Sequence, residues 1–372
     1  MVYSVTEFVS VILSSMKHIS IPHELKKMNE LFVANGFEAY LVGGAVRDVL
    51  LKKEASDWDV ATNATPEEVM RIFHHVIPTG IAHGTVTVLF LKKKVEVTTY
   101  RTEAGYSDGR HPDSVQYAAS IEDDLSRRDF TVNAIAASLE DGKIIDPFDG
   151  RKDLHFKIIR TVGNAQERFT EDGLRTVRAI RFASKLNFAI DEATFFAIPL
   201  CLEKTSKVSI ERFRDEFCKM LLSPVPSVAL RLMEHTGIMQ IFLPEFLQAR
   251  DCQQADFRGF HEFDVLEHLY YATDGASIYA KDNLIVALAA FFHDIGKVQA
   301  KKIEKLPDGN TKISFYNHEI YSEKKCREIM TRLKFSNEQI NSVCHLVKEH
   351  MFYYEQKWSD VAVRRFIIRV GE

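Results

Sequence analysis

The sequence lacks three features that would assign a chain quickly to a class of protein. Its five cysteines are scattered and form no C-x-x-C pair, which argues against a disulfide framework or a cysteine-pair zinc site. The formal net charge is −4, so the chain has no surplus of basic residues that would indicate a nucleic-acid partner. The apolar patch at residues 8–13 is too short to span a bilayer and lacks a signal-peptide profile. We therefore expect a protein of a reducing compartment, by default the cytoplasm, with no membrane partner.

What is present is the composition of a globular protein with several domains. Apolar residues make up 46% and charged residues 27% of the chain, as is usual for globular proteins. A length of 372 residues predicts two to four domains. Any nucleic-acid contact would have to come from locally concentrated lysine and arginine. The oligomeric state cannot be read from the sequence.

The stretch at residues 40–60, YLVGGAVRDVLLKKEASDWDV, reads as a strand, a glycine turn, a short helix and a second strand. Gly43 and Gly44 allow the backbone to turn sharply and approach a ligand. Asp57 and Asp59 are two apart in a strand and project from the same face. Two such carboxylates repel each other unless a cation lies between them, and oxygen ligands suit Mg²⁺. Each part alone is ordinary turn or loop chemistry, but together they predict phosphoryl or nucleotidyl transfer.

Two later motifs carry charges that suit the same chemistry. Glu96 lies in a predicted strand at residues 95–100, either on the solvent side of an edge strand or as a third metal ligand. Adjacent Arg127 and Arg128 suit a triphosphate, because guanidinium groups bind phosphate through two parallel hydrogen bonds. The alternative for the arginines is a surface ion pair at a helix start, and Asp129 is placed to orient one of them.

Residues 167–186 have helical periodicity and are predicted to form one helix. Asp172 and Arg175 are three apart on one face, with Arg178 one turn further along. A carboxylate beside a guanidinium offers acceptor and donor together, which can pair with the Watson–Crick edge of a base. The alternative is a simple salt bridge between residues three apart. Gly173 is expected to cost this helix about 1 kcal/mol relative to alanine.

Five stretches, in this order, resemble the class II tRNA nucleotidyltransferases. They are GGAVRD (43–48), DWDV (57–60), VEVTTYR (95–101), RRDFTVNA (127–134) and ERFTEDGLRTVRAIRFA (167–183). Members of that family add CCA, or part of it, to tRNA 3′ ends, and bacterial poly(A) polymerases are close relatives. The resemblance implies an α+β fold, in which a polymerase β-like head with a mixed sheet precedes an all-α neck and body. We expect the head at residues 1–150, the neck with its base-reading motif at 151–205 and a tRNA-binding body at 206–255.

The resemblance also implies the residues of the head site. Asp57 and Asp59 would hold Mg²⁺, with Glu96 as a third catalytic carboxylate. Arg128 would contact the triphosphate, and Asp172 with Arg175 would read the base. The residues implied in nucleotide binding are Gly43, Gly44, Arg47, Arg128, Asp129, Asn133, Asp172, Arg175 and Arg178.

The implied partners are the tRNA 3′ end, CTP and ATP. The loop at residues 101–126 has the length that the family associates with complete CCA addition. A-only addition and poly(A) synthesis stay open as alternatives.

The C-terminal part has a second constellation of possible metal ligands. His268 and the His293-Asp294 pair of FFHDIGK are followed by His318, His345 and His350. Imidazole and carboxylate together suit a metal-dependent phosphohydrolase.

Residues 256–372 resemble an all-α HD domain, which is associated with phosphatase and cyclic phosphodiesterase activity when it is appended to this family. The resemblance implies His268, His293 and Asp294 as ligands of a divalent metal such as Mg²⁺, Mn²⁺ or Ni²⁺. In HD domains a downstream aspartate normally completes the set of metal ligands, and Asp360 is a poor candidate for it. The HD phosphohydrolase or 2′,3′-cyclic phosphodiesterase as main activity is one alternative, and a degenerate helical scaffold for tRNA is another. The chain ends without a stop signal, so a longer natural protein and a truncated HD domain are left open.

Overall fold

The computed structural model describes residues 17–55, 57–81, 84–104, 114–118, 120–256, 262–352 and 358–370. The chain divides into two compact units, one of residues 1–175 and 188–204 and the other of residues 176–187 and 205–372. The four-part division expected from the sequence stays a prediction. The apolar patch at residues 8–13, His261 and residues 105–113 of the long loop lie outside the described residues. In the part that is described, none of the helices is both long and apolar enough to cross a membrane.

The first unit is built around a seven-stranded sheet in the order β3-β4-β5-β2-β1-β8-β9. The β2–β5 pair is parallel, while the other neighbours are antiparallel, which confirms the predicted mixed sheet. Its strands are β1 Ala39–Val42, β2 Trp58–Thr62, β3 Val76–Gly80, β4 Thr85–Phe90, β5 Lys93–Thr99, β8 Ala136–Ser138 and β9 Ile144–Ile145. Outside it, the paired strands are β6 Arg101–Ala104 with β7 Ser114–Tyr117, and β10 Ile158–Ile159 with β11 Ala189–Ile190.

Helices make up most of the remaining described structure. Up to residue 205 they are α1 His23–Ala34, α2 Gly44–Leu50, α3 Pro66–Ile72, α4 Ile121–Ser126, α5 Gly150–Phe156, α6 Ala165–Glu171, α7 Leu174–Leu186, α8 Glu192–Leu200 and α9 Leu202–Thr205. Beyond it they are α10 Ile210–Leu221, α11 Pro226–His235, α12 Ile238–Phe242, α13 Pro244–Leu247, α14 Val265–Tyr279, α15 Leu284–Phe292, α16 Lys297–Ala300, α17 His318–Arg332, α18 Asn337–Glu349 and α19 Asp360–Val370.

Local sequence accounts for several of these boundaries. Thr65 caps α3 by accepting from the backbone N–H of Glu68, whose side chain accepts from Thr65 in return, and Pro66 opens the helix. The β4–β5 hairpin turns at Leu91 and Lys92, both with positive φ, as the favoured two-residue hairpin turn requires. Both boundaries are thus set by residues next to each other in the sequence.

The expected single helix over residues 167–186 is wrong. α6 ends at Glu171, and α7 begins at Leu174. Asp172 lies between them in an extended conformation, with φ −141° and ψ 109°. The Oδ1 atom of Asp172 accepts a hydrogen bond from the backbone N–H of Leu174, so the carboxylate caps the start of α7. Gly173 thus lies in the junction, and the helix-interior cost expected for it does not apply.

The second unit is a helical assembly held by stacked aromatic rings. Phe213 of α10 and Phe242 of α12 have ring centroids 3.9 Å apart, and Phe246 of α13 lies 4.0 Å from Phe291 of α15. A two-stranded hairpin, β12 Lys302–Lys305 with β13 Thr311–Ser314, interrupts the helices. This hairpin and the β10–β11 pair are additions to the segments that the sequence predicts as all helical.

Candidate active sites

The head site is set by the register of β2 against β5. In this parallel pair Asp59 lies directly opposite Glu96, and register neighbours project from the same face of a sheet. Their flanking residues Val60 and Val97 are buried on the other side. Because β5 lies between β4 and β2, Glu96 does not belong to an edge strand. Asp57 precedes β2 directly and is exposed.

The raised pKa of Asp59 reflects its burial and the repulsion among the carboxylates of this site. Burial raises the pKa of Asp59, the carboxylates of Glu96 and Asp57 raise it further, and only Arg128 opposes the rise. A divalent cation would remove the repulsion. The donor set of oxygens on a strand pair therefore fits a divalent metal such as Mg²⁺.

The glycine turn brings the backbone to the same place. Gly43 has φ 68° and ψ −131°, a conformation that side chains with a Cβ avoid. A Cβ on Gly43 would lie 3.0 Å from Nη1 of Arg128 and 3.7 Å from Oδ2 of Asp59. Gly44 follows as the first residue of α2. The glycine turn, the Arg128 guanidinium and the Asp59 carboxylate therefore line the same space.

Asp124 holds both arginines of the predicted triphosphate clamp, and the sequence reasoning missed it. Its Oδ1 accepts from Nη2 of Arg127 at 2.6 Å, and its Oδ2 accepts from Nη2 of Arg128 at 3.0 Å. Burial alone would raise the pKa of Asp124, but the two guanidinium groups outweigh it and lower that pKa. The spacing of three and four residues along α4 and its C-terminus was the available signal.

A second buried network lies beside the clamp. Arg47, which is 4% exposed, donates from Nη1 to Oδ1 of Asn133 at 2.7 Å. The side-chain amide of Asn133 donates to Oδ1 of Asp129 at 3.1 Å, and the Asn133 carbonyl accepts from Nη1 of Arg128 at 3.4 Å. The structure therefore brings these predicted residues together as a connected support. Their direct contact with a nucleotide stays a prediction.

Arg175 connects the predicted base-reading segment to the clamp. Its Nη1 is paired with the carboxylate of Glu171, and its Nη2 donates to the carbonyl of Arg127 at 3.0 Å. Asp172 is not in the helix of Arg175, so the expected single helical face for the two is wrong, although Arg175 N–H donates to the Asp172 carbonyl at 3.0 Å. Base reading by these two residues stays a prediction.

Arg178 falls in the second unit. One of its guanidinium nitrogens is 4.0 Å from a carboxylate oxygen of Glu216, and its guanidinium lies 5.3 Å from the ring centroid of Phe182. These contacts tie it into the packing of α7 against α10. Its predicted role in nucleotide binding is not tested by them.

The second unit contains a pocket in which four histidines face one buried aspartate. The Nε2 atoms of His268 and His293 lie 3.1 and 3.3 Å from Oδ2 of Asp294. Those of His318 and His350 lie 2.9 and 3.4 Å from Oδ1. Burial alone would raise the pKa of Asp294, but the four imidazoles lower it well below its usual range.

The local folds explain why these side chains meet. His293 and Asp294 follow the C-terminus of α15, His318 opens α17, and His350 follows α18 directly. A Cβ on Gly296 would lie 2.5 Å from the backbone oxygen of His318. Glycine at this position therefore lets the chain after Asp294 approach the start of α17.

The chemistry of the donors fits a divalent metal. Nδ1 of His293, His318 and His350 each faces a backbone carbonyl, at 2.8, 2.8 and 2.6 Å. Because a carbonyl only accepts, each neutral ring carries its proton on Nδ1 and turns the Nε2 lone pair inward. Oδ1 of Asp294 is buried and accepts no hydrogen bond from the described residues, although Nε2 of His318 is close. Inward lone pairs beside an unsatisfied carboxylate oxygen are what a metal ion would use.

The group around Asp294 differs from the expected one in its later members. The structure brings His318 and His350 to Asp294 together with the predicted His268 and His293. The role of these side chains as metal ligands stays a prediction. Asp360 is exposed at the start of α19, and His345 is exposed on α18. Sequence spacing could not choose among the later histidines, because the choice depends on where the helices end. The pocket has a volume of about 590 Å³, which is in the range of small-molecule sites.

The head geometry and the histidine pocket define a nucleotidyltransferase-type head linked to an HD domain. The family described as Poly A polymerase head domain matches residues 39–160. The one described as Probable RNA and SrmB- binding site of polymerase A matches residues 187–249, and the HD domain family matches residues 264–368. HD and nucleotidyltransferase domains generally use divalent metals, in agreement with both donor sets.

More specifically, the chain belongs to the CCA-adding enzyme family. A crystal structure of the Bacillus stearothermophilus CCA-adding enzyme in complex with CTP matches with a TM-score of 0.67 and 31% identity, covering 93% of this chain and 75% of that one. A tRNA nucleotidyltransferase complexed with a primer tRNA and an incoming ATP analogue matches with a TM-score of 0.54 and 26% identity, covering 72% and 74%. The CCA-adding enzyme of Lactobacillus johnsonii is 49% identical over 216 residues, 58% of this chain and 53% of that protein. The chain spans about half the length of the curated relatives it matches.

The role of Asp124 can be tested with an isosteric change. We expect Asp124→Asn to raise the KM for the nucleoside triphosphate about ten-fold, because charged hydrogen bonds contribute about 1.5–3 kcal/mol. The kcat should change less, since the metal-ligand candidates are untouched. Steady-state incorporation kinetics would measure both. Glu122→Gln, on the exposed side of the same helix, is the control. An unchanged KM with a lowered melting temperature would reduce Asp124 to a structural residue.

Proposed function

We propose that this protein adds CCA to the 3′ end of tRNA, using CTP and ATP and no nucleic-acid template. The observation that carries the proposal is the convergence of Asp59, Glu96, Gly43 and Arg128 on one space of the head. Membership of the CCA-adding enzyme family supports it. So does the likeness to proteins whose structures were determined with CTP, and with a primer tRNA and an ATP analogue. The location of the protein in the cytoplasm stays a prediction.

The reaction would be attack of the tRNA 3′-hydroxyl on the α-phosphate of the nucleotide, with pyrophosphate leaving. Asp57, Asp59 and Glu96 would hold Mg²⁺, which in such centres lowers the pKa of an attacking hydroxyl and offsets charge on phosphate oxygens. Gly43 leaves room for the triphosphate beside Asp59. Arg128 binds phosphate oxygens and is kept in place by Asp124. The protein's own contribution is thus to orient the triphosphate and stabilise its charge.

Nucleotide choice would fall to the segment of Asp172 and Arg175. In the structure the Arg175 guanidinium is paired with Glu171 and with the Arg127 carbonyl. Reading a base edge therefore requires Arg175 to share or exchange these partners. The hydrogen bond from the Arg175 guanidinium to the Arg127 carbonyl supports a direct connection between the base-reading segment and the arginines of the phosphate clamp.

The test is a nucleotide-omission assay on tRNA transcripts that end at the discriminator base. With Mg²⁺ and both CTP and ATP we expect three additions, resolved at single-nucleotide length, and with CTP alone only cytidines. Long A tails with ATP alone would overturn the proposal in favour of a poly(A) polymerase. One A added only to transcripts that already end in CC would instead indicate an A-adding enzyme.

We propose a second activity for the HD pocket, hydrolysis of phosphate esters such as 2′,3′-cyclic nucleotides. The specific observation is the inward-facing group of four histidines around Asp294 in a cavity of about 590 Å³. Those side chains would hold a divalent metal, with Mg²⁺, Mn²⁺ and Ni²⁺ as the candidates. A degenerate scaffold would have no reason to keep three Nδ1 atoms tied to carbonyls and the Nε2 atoms directed inward.

The two activities should separate by mutation. The rate of 2′,3′-cyclic nucleotide hydrolysis would be measured by chromatography of the products. We expect this rate to be unchanged in Asp59→Asn and to fall below about one-hundredth of wild type in Asp294→Asn, because a metal centre contributes several kcal/mol to such reactions. His345→Ala, an exposed histidine outside the pocket, should leave hydrolysis unchanged. No hydrolysis by the wild type with any of the three metals would contradict this second activity.

A further inference from the structure

We propose that the second unit has a nucleotide-binding subsite beside the histidine pocket, in which an aromatic cavity takes the base and Arg365 takes a phosphate group. The ligand would be a nucleotide with a phosphate on the 5′ side of its ribose. Only the second part of the inference, that this subsite presents a 2′,3′-cyclic phosphate to Asp294, rests on the hydrolase activity proposed above. Binding of the base and of the 5′-phosphate is tested without that activity.

The aromatic cavity lies between α19 and the segment that follows α18, and has a volume of about 390 Å³. That volume is within the range of small-molecule sites. Three aromatic side chains and two guanidinium groups line it, namely Phe352, Trp358, Phe366, Arg365 and Arg369. Aromatic rings beside arginines are the combination by which proteins bind single nucleotides, because the rings stack on the base and the cations attract the phosphate.

The three rings form walls of the cavity and do not close on one another. The ring centroid of Phe366 lies 5.1 Å from that of Phe352 and 5.4 Å from that of Trp358, with interplanar angles of 46° and 69°. Because the ring planes cross, the rings do not cover each other's faces, and Phe352 is 53% exposed. A base can therefore stack on an open ring face, an interaction that every base can make.

The two arginines differ in what already binds them. The Nε atom of Arg369 lies 2.7 Å from Oε2 of Glu349, and its guanidinium lies 5.6 Å from the ring centroid of Phe366. Arg365 is exposed, lines the same cavity and has no ion pair with a carboxylate among the residues that the structure describes. Its guanidinium is therefore available for a phosphate group, which it can bind through two hydrogen bonds.

The aromatic cavity adjoins the histidine pocket. Met351 lines both, while His350 on one side of it faces Asp294 and Phe352 on the other side faces the aromatic cavity. The Phe352 N–H donates to the His350 carbonyl at 3.0 Å, so the chain turns tightly at Met351 and keeps the two Cα atoms at most about 7 Å apart. One nucleotide can thus place its base in the aromatic cavity and its 2′,3′ side towards Asp294, which leaves its 5′-phosphate for Arg365.

The test is a titration of the full chain carrying Trp58→Phe with adenosine and with adenosine 5′-monophosphate, in Mg²⁺, followed by tryptophan fluorescence. The sequence has two tryptophans, so the remaining one, Trp358, reports on the aromatic cavity. Both ligands should change its fluorescence, and inorganic phosphate alone should not. The monophosphate should bind about ten-fold more tightly than adenosine, because it adds a charge-assisted hydrogen bond to Arg365.

Variants of the two key side chains separate the phosphate from the base. Arg365→Gln should abolish the advantage of the monophosphate and leave adenosine binding unchanged, whereas Arg364→Gln, at an exposed arginine outside the cavity lining, should change neither. Phe366→Leu should weaken both ligands about ten-fold, because base stacking is lost, and Phe366→Tyr should restore it. Melting profiles would show that each variant is folded.

Equal affinities for adenosine and its 5′-monophosphate, or full affinity for both in Phe366→Leu, would overturn the subsite. A wild-type dimer that Phe366→Ser dissociates would assign the aromatic cavity to a second copy of the chain and would overturn it too.

Adenosine 3′,5′-bisphosphate tests the connection to the histidine pocket. It should bind more tightly than the 5′-monophosphate, because its second phosphate reaches the Asp294 side. Equal affinity would overturn that connection and leave the base and 5′-phosphate subsite standing, so the two failures are distinguishable. A free nucleotide and the end of a nucleic acid share this chemistry. Tighter binding of a 3′-phosphorylated trinucleotide than of the bisphosphate would support a nucleic-acid end as the ligand, and weaker binding would support a free nucleotide.

Discussion

The parallel pairing of β2 with β5 is the constraint on which the head site depends. It places Asp59 opposite Glu96 in the interior of a mixed sheet, where burial and like charge together raise the pKa of Asp59. A slip of one residue would turn one of the two side chains to the other face. The valines on the opposite face, Val60 and Val97, are fully buried and resist such a slip. The hydrophobic core thus fixes the register that creates the charged site.

Around that pair, the head is organised in supporting layers. Asp124 fixes Arg127 and Arg128, and the Arg128 guanidinium reaches the glycine turn next to Asp59. Arg175 binds the backbone of Arg127 from the segment that follows. A displacement of Arg175 would therefore act directly on the backbone of Arg127. In this arrangement hydrogen bonds join the segment proposed to select the nucleotide to the arginines proposed to orient the triphosphate, which would suit an enzyme that chooses a nucleotide without a template.

The sequence was informative where chemistry depends on local order and weak where it depends on tertiary geometry. The glycine turn follows from the sequence motif, whereas the mixed sheet and the candidate ligands His268, His293 and Asp294 are implied by the family resemblance. The break at Asp172 was missed, because helical periodicity continues through the junction where the Asp172 carboxylate accepts from the backbone N–H of Leu174. The sequence could not choose among His318, His345 and His350, because helix ends and the close approach at Gly296 decide that His318 and His350 face Asp294. Asp124 was within reach, since its spacing to both arginines is visible in the sequence.

The central claim is that nucleotidyl transfer occurs at Asp59 in the head and does not depend on the HD pocket. The most direct measurement is single-nucleotide incorporation from labelled CTP into tRNA by the wild type, Asp59→Asn and Asp294→Asn, each checked for an unchanged melting profile. The account predicts that incorporation falls about a thousand-fold in Asp59→Asn, in keeping with the several kcal/mol that a metal-ion centre supplies, and is unchanged in Asp294→Asn. Full incorporation by Asp59→Asn, or its loss in Asp294→Asn, would contradict the account.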